Sequence, residues 1–249
     1  MGINIQTVTI TGADDKVNPE DLVVLSKLYP FVEWGFLRSY TRTGSPRYPT
    51  FDWMERFEKV QDDSTRTSLH LCGSFAKSFI RGECIDVWKE SRFANWSRNS
   101  VFNFQRVQLN GFSDEWWPTP RIIPAHRGIE FILQVQNWEA LDRAKELYKN
   151  HPNTSILWDL SGGNGEPIDL VKSPLASCPL ISSKQRIGYA GGINPDNVFK
   201  IVEYMHYMTK GLSFDVNTWI DMESGVRTDD VFDLKKVEQV LEVVNSFRG

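Results

Sequence analysis

Two late stretches of the chain place small residues directly after a predicted strand, a pattern that suits the binding of an anion. In the first, Gly188–Val198, the pair Gly191-Gly192 lets the backbone turn sharply and exposes amide donors. The Asn-Pro-Asp sequence that follows favours a helix start, and the amino end of a helix attracts negative charge. The second stretch, Trp219–Val226, begins as a strand and ends in a Ser-Gly pair. The predicted ligand-binding residues are Gly191, Gly192, Ile193, Ser224 and Gly225.

A cationic loop earlier in the chain is a second candidate for ligand recognition. Arg47 lies in the polar segment Ser39–Tyr48, with Arg38 and Arg42 close to it in sequence. A guanidinium group pairs bidentately with a carboxylate or a phosphate. The alternative is an exposed arginine in a solvated loop. We therefore treat Arg47 as a candidate ligand-binding residue.

The composition of the chain argues against several classes of protein. The chain has 249 residues and a net charge of −4, which argues against a general nucleic-acid-binding surface. Its three cysteines are scattered and odd in number, which favours a reducing cytoplasm over a disulfide framework. No CxxC or HExxH spacing indicates a metal, and no apolar run approaches the roughly 18 residues of a membrane span. We expect a cytoplasmic protein whose partner is a phosphorylated small molecule, with no cofactor, no nucleic acid and no membrane contact; the oligomeric state stays open.

Strand and helix patterns alternate along the chain. The predicted strands are Ile5–Thr11, Phe31–Leu37, Thr67–Gly73, Asn103–Leu109, Phe131–Val135, Ser155–Leu160, Ile187–Ala190 and one that begins at Trp219. The predicted helices are one that carries Leu22–Leu28, one near Thr50–Gln61, short patches near Phe75–Ile80 and Ile85–Glu90, and Trp138–Asn150, Pro195–Met208 and Asp233–Phe247. No helix is predicted over Gly111–Gly128.

This alternation requires a parallel sheet. Eight units in 249 residues, close to the roughly 250 of one (β/α)8 barrel, favour a closed barrel over an open doubly wound sheet. The prediction is an α/β chain that forms a single (β/α)8 TIM barrel over residues 1–249, with enlarged loops in the third and fourth βα units. The functional residues should then meet at the C-terminal face, where the last two units commonly hold a phosphate.

Five short motifs are spread over nearly the whole chain. They are Ser45–Tyr48, Val107–Gly111, Asp159 with Gly162–Gly165, Ala190–Val198 and Asp221–Val226. These motifs resemble, in the same order, those of the phosphoribosylanthranilate isomerases, which are barrel enzymes of tryptophan biosynthesis. In the second motif, Asn110 stands where the family has histidine.

The resemblance implies an Amadori-type rearrangement of an aldose to a ketose. It implies that Asp159 is the general acid and that Arg47 holds the anthranilate end of the substrate. The family's general base is a cysteine at the end of the first strand, and Thr11 stands at that position. A threonine hydroxyl has a pKa far above neutrality and cannot replace a thiolate without an activating partner. The expected base is therefore missing.

Other residues could supply the base or contact the ligand. His70 and Cys72 lie two apart on a predicted strand, so both point to the same side, and His70 could lower the pKa of Cys72. The alternative for Cys72 is a small buried hydrophobic residue. Asp14 is a further candidate base or a helix cap, and Asp221 could order the lumen or contact the ligand. Glu223 is a possible polar contact at the same rim.

Four of the nine tryptophans fall in the irregular middle of the chain. They could form a satellite core under long loops, or an aromatic lid that stacks on a ring. Both interpretations stay open. The four residues are Trp88, Trp96, Trp116 and Trp117.

The functional hypothesis is an isomerase-like barrel that binds a phosphorylated sugar or a nucleotide-like molecule. It would act as an aldose–ketose isomerase with an altered substrate, with Asp159 as acid. The alternative is a non-catalytic protein that kept the phosphate site and sequesters or senses a phosphorylated metabolite. A third interpretation is a structural relic with a filled pocket.

Overall fold

The computed structural model describes residues 4–81, 104–111, 123, 128–161, 186–209 and 217–248. Eight parallel strands close into a barrel, because β1 pairs with β8 as well as with β2. This confirms the predicted fold class. The strands are β1 (Asn4–Thr11), β2 (Val32–Arg38), β3 (Arg66–Leu71), β4 (Arg106–Leu109), β5 (Glu130–Val135), β6 (Thr154–Trp158), β7 (Ile187–Tyr189) and β8 (Asn217–Met222).

Helices connect the strands along the outside of the barrel. The described helices are α1 (Pro19–Leu28), α2 (Phe51–Val60), α3 (Ser74–Ile80), α4 (Trp138–Asn150), α5 (Val198–Thr209) and α6 (Leu234–Ser246). After β8 the chain forms a 3-10 turn (Ser224–Val226) and a two-stranded hairpin of β9 (Arg227–Thr228) and β10 (Val231–Phe232).

Capping side chains fix where two of these helices begin. Thr50 Oγ1 accepts a hydrogen bond from Trp53 N at the start of α2, and Asn137 Oδ1 accepts one from Ala140 N at the start of α4. Along α4 the buried residues recur at helical spacing and pack against β5 and β6. The buried residues of α4 are Ala140, Leu141, Ala144 and Leu147.

The helix expected to begin at Pro195 begins at Val198 instead. Side-chain amides explain the delay. Asn194 Oδ1 accepts from Asp196 N, and Asn197 Oδ1 accepts from Asn194 N, so residues 194–197 form a turn before the helix.

The core consists of an outer layer between strands and helices and a smaller cluster in the lumen. In the outer layer the rings of Phe36, Trp53 and Phe57 contact one another with centroids 5.0–5.7 Å apart. In the lumen Trp219 is fully buried, and a Cβ added at Gly188 would lie 2.1 Å from its ring. Glycine at position 188 therefore leaves the space that this tryptophan fills.

Several expectations fall on parts of the chain outside the described residues. These include the helical patch at Ile85–Glu90, most of Gly111–Gly128, the Gly162–Gly165 loop and the four tryptophans of the middle segment. Loop enlargement in the third and fourth units is therefore untested. Within the described ranges, no helix is long and apolar enough to cross a membrane, and no group of His, Cys, Asp or Glu side chains has the arrangement of a metal site.

Candidate active site at the C-terminal rim

A pocket of about 800 Å³ opens at the C-terminal ends of the barrel strands. All ten residues that the sequence nominated for catalysis or ligand binding line it, together with His70 and Glu223. The ten are Thr11, Arg47, Cys72, Asp159, Gly191, Gly192, Ile193, Asp221, Ser224 and Gly225.

The turns after β7 and β8 are in direct contact at this rim. Gly191 and Gly192 have φ angles of 116° and 56°, a region that favours glycine. A Cβ added at Gly225 would lie 1.9 Å from the carbonyl oxygen of Ile193. Glycine at 225 is therefore what allows the two turns to meet.

Five backbone N–H groups of these turns have no acceptor within the described part of the chain. Each can donate to a ligand oxygen that enters the pocket. Such a group of amides suits a phosphate, because three of the five residues are glycines and have no Cβ to obstruct the ligand. We call the N–H groups of Gly191, Gly192, Ile193, Ser224 and Gly225 the rim amides.

Asp159 follows β6 and is held by hydrogen bonds on both carboxylate oxygens. Gln134 Nε2 donates to Oδ2 at 2.7 Å, and Ser161 donates to Oδ1 from its hydroxyl at 2.7 Å and from its backbone N–H at 3.1 Å. The carboxylate is buried yet lines the pocket. Its orientation is therefore fixed before a ligand binds.

Asp221 is a second buried carboxylate in the same pocket. Thr11 Oγ1 donates to Asp221 Oδ1 at 2.9 Å, so the hydroxyl that replaces the expected thiol is bound to this acid. Burial raises the pKa of Asp221 to about 7, and the charges of Glu223 and Asp159 act in the same direction, while the Thr11 hydrogen bond opposes them. A carboxyl group that titrates near neutrality is suited to proton transfer.

The surroundings of Cys72 argue against its role as a base. Burial lowers the pKa of His70 to about 3, with Arg106 adding to the effect, and His70 Nε2 lies 3.0 Å from Ser68 Oγ. A neutral imidazole cannot lower the pKa of the thiol. Burial raises the pKa of Cys72 to about 11, and Asn110 Nδ2 donates to its sulfur at 3.3 Å.

Arg47 connects the loop after β2 to the turn after β8. Its Nη1 donates to Glu223 Oε1 at 2.8 Å and to Ser224 Oγ at 3.2 Å, and its Nε and Nη2 donate to Asp230 Oδ1 at 2.9 and 2.8 Å. The guanidinium thus lies beside the rim amides with two carboxylates as partners. Its charge offsets that of Glu223 next to the anion site.

Asp14, the other candidate base, has a structural set of partners. Arg227 Nη2 donates to Asp14 Oδ2 at 2.9 Å, and Arg47 N donates to the same oxygen at 2.8 Å. Arg227 Nη1 also donates to the carbonyl oxygen of Gly12. This buried ion pair joins the turn after β1 to the hairpin after β8, and it leaves Asp14 no part in the pocket lining.

Two glutamines of the lumen have roles that sequence reasoning missed. Gln134 orients Asp159, and its Oε1 accepts from Gly111 N at 2.7 Å. Gln108 donates to Asn110 and also hydrogen-bonds Asp221, which lowers the pKa of that acid. Each is a polar residue that follows an apolar residue near the C-terminal end of its strand, and that signal could have identified both.

The chain resembles known proteins both in sequence and in fold. Residues 96–243 match the family model for N-(5'phosphoribosyl)anthranilate (PRA) isomerase. An N-(5'-phosphoribosyl)anthranilate isomerase of Dehalococcoides mccartyi is 28% identical over 164 residues, which cover 60% of this chain and 64% of that protein.

Solved structures share the fold at low sequence identity. Phosphoribosyl anthranilate isomerase from Thermococcus kodakaraensis has a TM-score of 0.59 at 15% identity, covering 96% of this chain and 99% of that one. N-(5'-phosphoribosyl)anthranilate isomerase from Pyrococcus furiosus has a TM-score of 0.53 at 16% identity, covering 97% and 99%. These likenesses show the barrel fold alone. With the family model matching more than half of its length, the chain belongs to the N-(5'-phosphoribosyl)anthranilate isomerase family.

Proposed function

We propose that this protein is an aldose–ketose isomerase for a phosphorylated sugar derivative, with Asp221 in the role of the missing base. One observation carries the proposal. Two buried carboxylates, Asp159 and Asp221, line the same pocket as the rim amides, and the pKa of Asp221 is raised to about 7. Two acids held in different surroundings suit opposite roles in proton transfer.

An Amadori-type rearrangement needs both roles and no external oxidant or reductant. An acid protonates the ring oxygen, and the sugar opens to an iminium ion. A base then removes the proton from C2, and the electron pair moves towards nitrogen to give an enol-amine. Uptake of a proton at C1, together with loss of the proton from the hydroxyl group on C2, yields the ketose. We assign the first step to Asp159 and the second to Asp221, with Thr11 orienting the base through its hydroxyl.

The substrate's phosphate would bind the rim amides, which places the sugar above both carboxylates. Arg47 keeps its bond to Glu223 in this scheme. Its other partner, Asp230, has 53% of its side chain exposed, so a substrate carboxylate can replace it at Nε and Nη2. This gives Arg47 a part in recognition without leaving Glu223 unpaired.

The test is an isomerisation assay with N-(5'-phosphoribosyl)anthranilate and a panel of phosphorylated aldose derivatives. We expect Asp159→Asn and Asp221→Asn each to lower kcat/KM by about 10²–10⁴-fold. Asp142→Asn, an exposed acid of α4, is the matched control and should leave it unchanged. An active wild type with an active Asp221→Asn variant would contradict the assignment of the base.

A non-catalytic binder is the second candidate, and Thr11 favours it because no thiolate can form at that position. A binder would hold a phosphorylated ligand without turnover by the wild type. Thr11→Cys is then the deciding variant. Activity that appears only in Thr11→Cys, and disappears again with Asp159→Asn, would replace the isomerase proposal with the binder.

A further inference from the structure

The N-terminal mouth of the barrel, opposite the catalytic rim, contains a cavity of about 600 Å³. Four arginines line it. Two are the first residues of β3 and β4, one immediately precedes β7, and one follows α6. We call Arg66, Arg106, Arg186 and Arg248 the arginine mouth.

Arg106 is buried, with 5% of its side chain exposed, and its hydrogen-bonding capacity is only partly used. Nη1 donates to Glu33 Oε1 at 2.8 Å, and the guanidinium lies 4.4 Å from the centroid of the Trp219 ring. Nε is 3.4 Å from Glu130 Oε2 but makes no hydrogen bond, and Nη2 has no hydrogen-bond partner among the residues that the structure describes. A buried donor without an acceptor is costly, and a ligand oxygen would relieve that cost.

The other three arginines add positive charge around the same cavity. Burial lowers the pKa of Arg186, and the charge of Arg106 acts in the same direction. Burial also lowers the pKa of Arg248, and there the like charge is Arg66. Within the described ranges, Arg186 Nε has no hydrogen-bond partner either. Like charges held this close favour an anion between them.

The carboxylates near this cavity already have other partners. Glu33 accepts from Thr9 Oγ1 at 2.9 Å as well as from Arg106. Glu130 accepts from Ser155 Oγ and from Arg186. In the described part of the chain, no carboxylate forms an ion pair with Arg66 or Arg248. The positive charge of the arginine mouth is therefore only partly neutralised from within.

We propose that the arginine mouth is a second anion site, separate from the catalytic pocket, that binds a phosphate group. Guanidinium forks match phosphate oxygens bidentately, and the unpartnered donors of Arg106 and Arg186 supply contacts from inside the barrel. The phosphate could be inorganic or part of a metabolite. This inference does not depend on the proposed isomerase activity.

The experiment is calorimetric titration with phosphate, pyrophosphate and AMP at constant ionic strength. The Gly192→Asp background weakens the rim site, so that remaining binding reports the arginine mouth. We expect Arg66→Gln with Arg248→Gln to weaken that binding at least tenfold, while Arg143→Gln, an exposed arginine of α4, changes nothing. Arg66→Gln alone, at an exposed strand end, is the second variant if the double variant fails to fold.

Tighter binding of AMP than of phosphate or pyrophosphate assigns the site to a metabolite, and the reverse order assigns it to an inorganic anion. Absence of binding in the Gly192→Asp background overturns the proposal. Binding that persists unchanged in the arginine variants overturns it as well. Neither result bears on turnover at the rim, which the isomerase assay measures separately.

Discussion

The two proposed anion sites, one at each end of the barrel, use different kinds of donor. At the C-terminal rim the proposed donors are backbone amides of two glycine turns, and the guanidinium of Arg47 beside them already has two carboxylate partners. At the N-terminal mouth the proposed donors are arginine side chains. Binding at the rim should therefore depend on backbone shape, and so on its glycines, whereas binding at the mouth should depend on charge and respond to salt.

The buried carboxylates at the two ends of the barrel also differ in their partners. Glu33 at the mouth has a buried cationic partner, Arg106. Among the described residues, Asp221 at the rim has the neutral donors Thr11 and Gln108 and no cationic partner, and burial raises its pKa to about 7. A paired buried carboxylate stabilises a network, while one without a cation becomes available for proton transfer.

The largest effect on stability is expected from breaking the pair at the mouth. Glu33→Gln removes the carboxylate from a pair whose side chains are 4% and 5% exposed, and it leaves Arg106 buried without its main partner. We expect a loss of about 3–5 kcal/mol in the free energy of unfolding, measured by urea denaturation. Glu139→Gln, which breaks the exposed pair with Arg143 on α4, should cost about 0.5 kcal/mol or less. Similar losses in the two variants would contradict the expected contrast between a buried and an exposed ion pair.

The next effect is a pH dependence from Asp221. Its folded-state pKa of about 7 lies above the usual value of 3.8 for an aspartate, so its contribution to stability is complete below pH 4 and is lost as the pH rises to 7. Three pKa units correspond to about 4 kcal/mol. The stability of the wild type minus that of Asp221→Asn should fall by up to that amount between pH 4 and pH 8.

The shifted pKa of His70 changes stability with pH in the opposite direction. The quantity to measure is therefore the difference in stability between the wild type and Asp221→Asn. At His70 the folded-state pKa of about 3 lies below the usual value of 6.5 for a histidine, so its contribution to stability is present above pH 6.5 and is lost as the pH falls towards 3. Both proteins share this term, and it cancels in the comparison. A difference between wild type and Asp221→Asn that does not vary with pH would refute the raised pKa.

The smallest effect tests the shape of the rim. Gly225→Ala places a Cβ 1.9 Å from the Ile193 carbonyl oxygen, so the two turns must separate. We expect a loss of about 1–3 kcal/mol in stability and weaker phosphate binding at the rim. Gly128→Ala, where an added Cβ meets nothing within 4 Å, is the control and should change stability by about 0.5 kcal/mol or less. Equal stability and affinity in the two variants would show that the turns do not need their contact.

Much of the fold followed from local patterns. The alternation of strands and helices predicted the parallel barrel, and the bounds of α4 were predicted to the residue because its cap, apolar stripe and terminus all agree. The delayed start of α5 was not predicted, because two asparagine side chains compete with the helix for backbone groups. Roles for the nominated site residues remain predictions.

The sequence by itself determined the glycine turns, the positions of the candidate acids and the replacement of a thiol by Thr11. These are properties of residue type and local order. Only the tertiary structure decided which groups meet: Thr11 with Asp221, Asp14 with Arg227, and four arginines at one end of the barrel. Those contacts join residues far apart in the chain, and the burial that shifts the pKa of Asp221 exists only once the barrel has closed.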